Sequence, residues 1–378
     1  MRSKEAALSI IVPTRNRSSY LERLLSYYAD CRSPFPILIG DSSHEEEQRK
    51  TARMVQFFSR TLRVSHRIFP VGSGMYPVSY DLVKAVFTPY IVLLADDDLL
   101  VPRGLEAAVD FLETHPDYSA AHGMAALIKL SSPGPYGTVE WSESYGPSSI
   151  EHKQPGERLA AQFKTYNTAF SVHRKRIMEI GYQHVVDLGL EAKFAELLTQ
   201  SLNVIFGKTK RLNLLYLVRQ THPGQDSVQA AKTRDIFEWL LDPEWRGHYE
   251  GFLNCLISEL SIQQQIQPEE AQKALEKIFW FYLTHGLKKS WKARYASGER
   301  SRFSELFERR KNLRKIWHHI RAFIPWMEPE MSLPALLRPS SRFSQDFMPI
   351  YKVVSAFRDG EMELVSSAAG ADADAVST

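Results

Sequence analysis

Over residues 8–114 the chain alternates between short β-type runs and amphipathic helical patterns. The predicted strands are 8–12, 36–39, 62–68 and 90–94, and the predicted helices are 18–30, 45–60, 80–87 and 105–114. This βαβαβαβα order is typical of an α/β fold, in which helices cover a largely parallel sheet. Because ligands of such sheets bind outside the carboxyl ends of the strands, we expect functional side chains directly after these runs.

Three consecutive aspartates, Asp96, Asp97 and Asp98, follow the last apolar run of this segment, residues 90–95. Neighbouring carboxylates resist ionising together unless a positive group neutralises them. The usual partner for clustered oxygen ligands is a divalent cation such as Mg²⁺ or Mn²⁺. The triplet therefore predicts a metal site at a strand end. The alternative is structural: one aspartate caps the next helix and the others are solvated in a loop.

Composition limits the class of protein. The chain has 378 residues, of which 44% are hydrophobic and 24% charged, so it can bury one large core or two smaller ones. A net charge of +3 gives no indication of nucleic-acid binding. With only two cysteines, Cys31 and Cys255, there is no thiolate zinc cluster or disulfide framework, which favours a reducing, cytoplasmic compartment. No apolar run approaches the roughly 20 residues that span a bilayer.

The rest of the chain is less regular at first and then helical. Residues 131–155 are rich in Gly, Pro, Ser and Tyr, and we expect a functional loop or lid there. A helix over 188–205 and a strand over 212–218 follow. The C-terminal part is helical in pattern, and residues 288–321 are strongly basic. Such a stretch is usually a solvated face, although it could also contact an anionic membrane surface.

Three segments together resemble the GT-A glycosyltransferases, and the inverting family-2 type in particular. They are Ile-Ile-Val-Pro-Thr-Arg-Asn-Arg at 10–17, Leu-Ile-Gly-Asp-Ser-Ser at 38–43, and Pro-Tyr-Ile-Val-Leu-Leu-Ala-Asp-Asp-Asp at 89–98. The resemblance implies a GT-A Rossmann-like mixed sheet with flanking helices, plus a helical C-terminal region. We expect a catalytic domain over 1–230, the helical region over 231–365, and a disordered tail over 366–378.

The resemblance also implies a donor site. Pro13, Thr14 and Arg15 would line the nucleotide pocket, and Asp41 would hydrogen-bond the base, usually uracil. Independently of the resemblance, the glycines of loop 71–76, Gly74 among them, would let the backbone approach the donor phosphates or sugar. Asp97 is a further donor-site candidate. A structural alternative for Asp41 is a turn residue before the two serines that follow.

The metal ligands implied by the resemblance are Asp96 and Asp98, as the Asp-x-Asp motif, with His222 as a third ligand. Mn²⁺ or Mg²⁺ would be the cofactor. Family members often carry an aspartate where this chain has Ala95. The register is therefore open by one residue, and Asp97 can replace Asp96 as a ligand.

The general base is implied to be an acidic residue near the start of the helix before the last strand. Glu196 and Glu191 are the candidates, because the chain lacks the literal Glu-Asp pair of the family. The structural alternative for Glu196 is a solvated helix face.

The function implied is transfer of a sugar from a nucleoside-diphosphate donor, UDP-linked by expectation, to an acceptor hydroxyl with inversion. The acceptor would be a glycan, a lipid-linked compound or a small molecule, and the protein would be cytoplasmic, with peripheral membrane contact through 288–321 as an option. Two alternatives stay open. One is a catalytically silent GT-A-like binding or scaffold protein. The other is a sugar nucleotidyltransferase, which would need a glycine-rich loop after the first strand.

Overall fold

A computed structural model describes residues 7–165, 169–225, 236–295 and 329–356. In this part of the chain nine strands form one mixed sheet with the order β3-β2-β1-β4-β8-β6-β9-β5, and β7 pairs with β6. The strands are β1 Leu8–Thr14, β2 Ile37–Asp41, β3 Val64–Ile68, β4 Tyr90–Leu93, β5 Asp98–Leu100, β6 Tyr118–Leu130, β7 Val139–Tyr145, β8 Val172–Arg174 and β9 Lys208–Gln220.

Helices flank this sheet and make up the described C-terminal part. They are α1 Ser18–Asp30, α2 Glu45–Phe58, α3 Met75–Ala85, α4 Pro102–Thr114, α5 Pro155–Thr165, α6 Lys175–Asp187, α7 Ala192–Phe206, α8 Ile236–Leu240, α9 Trp245–Gln264, α10 Pro268–Tyr295, α11 Leu333–Leu337 and α12 Ser344–Val354. The predicted α/β fold with a helical C-terminal region is confirmed.

The first four strands are parallel, as their alternation with helices predicts. β1 pairs with β2 on one side and β4 on the other, and β2 pairs with β3. The register places Thr14 opposite Asp41, so two of the predicted strand ends lie side by side. β4 is buried along its whole length and β1 along all but one residue, which explains why both are nearly continuous apolar runs.

The other half of the sheet contains antiparallel pairs that the sequence pattern did not predict. β8 runs antiparallel to β4 and to β6, and β5 runs antiparallel to β9. In the last pair Asp98 lies directly opposite Arg219. The predicted irregular loop over 131–155 is partly wrong, because β7 forms a hairpin with β6. Its alternating polar residues suit a half-exposed strand better than a loop.

The helical part packs its own core against α5 and α7. Phe194 of α7 lies within 4.8 Å of Trp239 and 5.4 Å of Phe252, measured between ring centroids, and Phe279 closes the cluster. No helix among the described residues is long and apolar enough to cross a membrane. Most of the basic stretch 288–321 and the whole predicted tail 366–378 lie outside the described residues.

Candidate active site

A cavity of about 860 Å³ opens at the carboxyl ends of β1 and β4, between these strands and α7. Seven of the predicted site residues line it: Pro13, Thr14, Arg15, Asp96, Asp97, Glu191 and Glu196. The remaining four do not: Asp41, Gly74, Asp98 and His222. The loop before α3 still reaches the cavity, through Ser73 and Met75 on either side of Gly74.

Asp96 lies in the turn between β4 and β5 and is bonded to the end of β1 and the turn that follows it. Its Oδ2 accepts a hydrogen bond of 2.7 Å from Thr14 Oγ1, and its Oδ1 accepts one of 3.2 Å from Arg17 Nη1. Burial and the neighbouring charge of Asp97 raise the pKa of Asp96 to about 6. The strand-end threonine and the arginine of the Pro-Thr-x-Asn-Arg turn thus hold this carboxylate in place.

Asp97 and His222 form the closest acidic and imidazole pair of the site. The Asp97 Oδ2 atom lies 2.9 Å from His222 Nε2 and 3.1 Å from Arg17 Nη1. Burial alone would raise the pKa of Asp97, but the His222 hydrogen bond and the Arg17 charge hold it below its ordinary value. The sequence prediction grouped His222 with Asp96 and Asp98 as metal ligands, and in the structure the carboxylate that His222 contacts is that of Asp97.

The loop that carries His222 is fixed from several sides. Thr221 N donates to Ile128 O at 2.8 Å, and Arg17 Nη2 donates to the carbonyl of Gly224. The ring of Tyr20 stacks on the His222 ring at 5.0 Å. His222 Nδ1 is buried and has no hydrogen-bond partner among the described residues. The imidazole is therefore held by packing, with its Nε2 edge committed to Asp97.

Asp98 lies away from the cavity, because it is already the first residue of β5. Its carboxylate accepts hydrogen bonds from Arg219 Nε at 3.1 Å and from the backbone N–H of Gln220 at 3.3 Å, and it is fully buried. Asp97 lies in the turn before β5 and lines the cavity, whereas the carboxylate of Asp98 is turned toward Arg219 and Gln220. Asp98 therefore does not converge with His222 as the predicted metal set requires.

The positive groups that neutralise the triplet include three arginines, which the sequence pattern did not reveal. Arg17 bridges Asp96 and Asp97, and Arg219 pairs with Asp98. Arg23 of α1 is completely buried and donates from Nη2 to the backbone carbonyl of Asp97 at 2.6 Å. A buried charge is tolerated only when it is paired and hydrogen-bonded, and here the arginines meet that condition for the aspartates.

Asp41 ends β2 as predicted, but its oxygens bond within the protein. Oδ1 accepts from the backbone N–H of Ser43 at 2.9 Å, and Oδ2 lies 3.2 Å from His66 Nε2. Burial would raise the pKa of Asp41, yet these hydrogen bonds lower it. The neighbouring Ser42 lines the cavity instead. The turn role considered for Asp41 is therefore present, and a contact with a nucleotide base stays a prediction.

Glu191 is the N-cap of α7. Its Oε1 accepts from Phe194 N at 2.9 Å and from Trp239 Nε1 at 2.9 Å, and its Oε2 accepts from Lys193 N at 3.1 Å. Both oxygens thus satisfy donors that would otherwise be unpaired at the helix start. This carboxylate connects α7 to α8 through hydrogen bonds. Because both of its oxygens already accept hydrogen bonds, it suits a structural role better than proton transfer.

Replacement of Glu191 by alanine should therefore act on stability. Loss of an N-cap costs about 0.5–2 kcal/mol, and the buried indole N–H of Trp239 would lose its acceptor at a further cost of about 1–3 kcal/mol. We expect the free energy of unfolding to fall by about 2–4 kcal/mol, as measured by urea denaturation. Glu113→Ala at an exposed position of α4 is a control, and an unchanged midpoint for Glu191→Ala would contradict the assigned role.

Glu196 lies one turn further along α7 and lines the cavity. Gln200 Nε2 donates to its Oε1 at 3.2 Å. Desolvation by the surrounding cavity walls raises the pKa of Glu196, against the Gln200 hydrogen bond and the positive charges of Arg219 and Lys193. A carboxylate with a raised pKa in a cavity is suited to accept a proton near neutral pH. Glu196 is solvent-exposed, as the alternative considered from the sequence expects, and the solvent that it meets is that of the cavity.

Sequence reasoning missed Arg17, Arg219 and Trp239 as cavity residues. Arg17 stands in the turn motif itself, and Arg219 stands three residues before His222, so a search for cations near both acidic motifs would have found them. Trp239 belongs to the helical half, and only the packing of α8 against α7 brings it to the cavity.

Comparison with known proteins shows the fold. No family model matches the chain, and no curated protein sequence matches it. A crystal structure of S. aureus TarS matches with 12% identity and a TM-score of 0.50, covering 94% of this chain and 56% of that chain. A structure of TarS 1–349 in complex with UDP-GlcNAc matches with 14% identity and a TM-score of 0.51, covering 94% and 95% of the two chains. The chain thus spans little more than half the length of the first of these structures, and it shares their mixed-sheet, GT-A-like fold.

Proposed function

We propose that this protein is a glycosyltransferase that moves a sugar from a nucleoside-diphosphate donor to an acceptor hydroxyl. The observation that carries the proposal is one cavity at the carboxyl ends of the parallel strands that holds Asp96, Asp97 and Glu196 together. Acidic groups for a donor site and a solvent-accessible carboxylate for the acceptor thus share one space. The likeness in fold to TarS, solved in complex with UDP-GlcNAc, supports the donor class and favours UDP.

A divalent metal fits the Asp97–His222 pair. Among the described residues no three His, Cys, Asp or Glu side chains form a metal-holding group, but two ligands are sufficient when substrate phosphates supply the others. The Asp97 oxygen and the His222 nitrogen already meet at 2.9 Å, and oxygen with imidazole suits Mn²⁺ or Mg²⁺. A cation bound there would neutralise charge on the leaving diphosphate. Of the predicted ligands Asp96, Asp98 and His222, this proposal keeps His222 and takes Asp97, the alternative that the sequence left open, as the aspartate.

The chain's own groups account for the remaining steps. Glu196 takes the proton of the acceptor hydroxyl, whose oxygen attacks the anomeric carbon of the donor sugar. The bond from that carbon to the diphosphate breaks, and its electron pair leaves with the nucleoside diphosphate. A single in-line displacement of this kind inverts the anomeric centre. Arg17, held by Asp96 and Asp97, adds a positive charge at the strand ends where the diphosphate would lie.

Titration calorimetry with UDP tests the proposal. We expect UDP to bind in the presence of Mg²⁺ or Mn²⁺ and its affinity to fall at least about tenfold in EDTA, because the pair Asp97–His222 holds the metal and the metal holds phosphate. Asp97→Asn should bind UDP weakly and equally with or without metal.

GDP, tested in the same way, gives the nucleotide preference. If neither nucleotide bound under any of these conditions, the proposal would be wrong, and the scaffold alternative would be favoured. Metal-independent UDP binding by the unmodified protein would contradict the Asp97–His222 metal site while leaving the donor class intact.

A further inference from the structure

Arg219 is a cavity-lining cation that the proposed reaction leaves without a role. It lies near the carboxyl end of β9, and its side chain is 19% exposed. Two of its three nitrogens have fixed partners: Nε donates to Asp98 Oδ2 at 3.1 Å, and Nη1 donates to the Tyr145 hydroxyl at 3.0 Å. Among the described residues the third, Nη2, has no hydrogen-bond partner.

The guanidinium is held unusually rigidly for an arginine in a cavity. Its carbon Cζ lies 5.1 Å from the centroid of the Phe170 ring and 5.6 Å from that of Tyr145. Asp98, its anchor, is fully buried and is itself fixed by the backbone N–H of Gln220. A guanidinium fixed in this way loses little rotamer freedom when its remaining N–H groups form a hydrogen bond.

The position of Arg219 relates it to the donor side of the cavity. Burial alone would lower the pKa of Arg219. The charges of Asp98 and Asp97 and the Tyr145 hydroxyl outweigh this effect and raise the pKa above its ordinary value, so the guanidinium is always charged. The same positive charge acts on Glu196. Arg219 therefore lines the same cavity as Asp97 and Glu196, and its positive charge acts on both.

We propose that Arg219 binds an anionic oxygen of the donor diphosphate through Nη2, and that Asp98 is present in the triplet to hold Arg219 in that orientation. The inference rests on the proposed function and deepens it. Guanidinium groups match phosphate oxygens in geometry and charge, and a hydrogen bond between charged groups is about twice as strong as a neutral one. The aspartate triplet then has two functions: Asp97 faces the metal, and Asp98 is a positioning residue for a phosphate-binding arginine.

The test is the double variant Asp98→Asn/Arg219→Gln, since a single change would leave a buried charge unpaired. Removing both charges together avoids that penalty and should leave the melting temperature near that of the unmodified protein. We expect its affinity for UDP with Mg²⁺ to fall roughly 10- to 100-fold, measured by calorimetry. Its affinity for uridine, which carries no phosphate, should stay within about twofold by ligand-observed NMR.

Arg246→Gln/Glu250→Gln, which removes an exposed ion pair on α9, is the matched control and should leave both affinities unchanged. Unchanged UDP affinity in the Asp98/Arg219 variant would overturn the inference while the proposed function stands. An equal loss for uridine would also overturn it, because the effect would then come from the shape of the cavity. If the unmodified protein bound neither UDP nor GDP, the proposed function would fail and this inference with it.

Discussion

Asp97→Asn is expected to reduce sugar transfer by about 1000-fold, which corresponds to about 4 kcal/mol of transition-state stabilisation. Asp97 alone combines three properties: it lines the cavity, its Oδ2 meets His222 Nε2, and its carboxylate has a lowered pKa. An asparagine keeps the shape of the side chain but loses the charge that would hold a divalent cation. The measurement is the initial rate of donor hydrolysis or transfer over a panel of UDP-sugars with Mg²⁺ or Mn²⁺.

Two further variants test whether the loss of activity is specific to the metal site. His222→Gln should show a smaller loss of the same kind, because it removes the second ligand but leaves the carboxylate. Asp117→Asn changes an exposed ion pair with Lys208 and should keep full activity. If Asp97→Asn transferred sugar at the normal rate with the normal metal dependence, Asp97 would not be a ligand.

The strand ends were predictable from the sequence because their signals are local. An apolar run that stops at Thr14, Asp41 or Asp96 marks a strand end by itself, and the parallel order of β1, β2 and β4 follows from the intervening helices. α1 was predicted with its observed bounds, Ser18–Asp30, for the same reason. Such features depend on a few neighbouring residues.

The pairing of Asp97 with His222 and of Asp98 with Arg219 depends on contacts between distant segments. Both pairs exist only because β9 lies beside β5 in one particular register, and neither a motif nor a hydrophobic period encodes that register. One local signal was available: the short apolar run 99–101 after the triplet could have indicated a strand that begins at Asp98. That signal would have separated Asp98, as the first residue of a strand, from Asp97 in the preceding turn.

The start of α7 shows a different limit. The sequence predicts a helix from 188, but Gly189 adopts a left-handed φ of 57° and the helix begins at Ala192. Glutamate is not a preferred N-cap residue, so the capping role of Glu191 has no local signature. That role depends partly on Trp239, which approaches from the helical half of the chain. For this reason the sequence could not decide whether Glu191 or Glu196 is the general base.

The variant Glu196→Gln tests which of the two glutamates, Glu191 or Glu196, is the general base. Removal of a general base typically lowers the rate by 10²- to 10⁴-fold, and we expect a loss of about 1000-fold in kcat with UDP affinity unchanged. Glutamine retains the shape of the side chain and its contact with Gln200, so stability should change by less than about 1 kcal/mol. Glu191→Gln, by contrast, should lower stability and leave most of kcat.

The pH dependence gives the second readout for Glu196. Because desolvation raises the pKa of this carboxyl, the unmodified protein should lose transfer activity as the pH falls through a value above the ordinary range of a glutamate. Below that pH Glu196 is protonated and cannot accept the acceptor proton, and above it the base form is complete. In a plot of rate against pH, the residual activity of Glu196→Gln should not show this decline on the acidic side, the acidic limb. An identical limb in the variant would assign the titration to another group and would exclude Glu196 as the base.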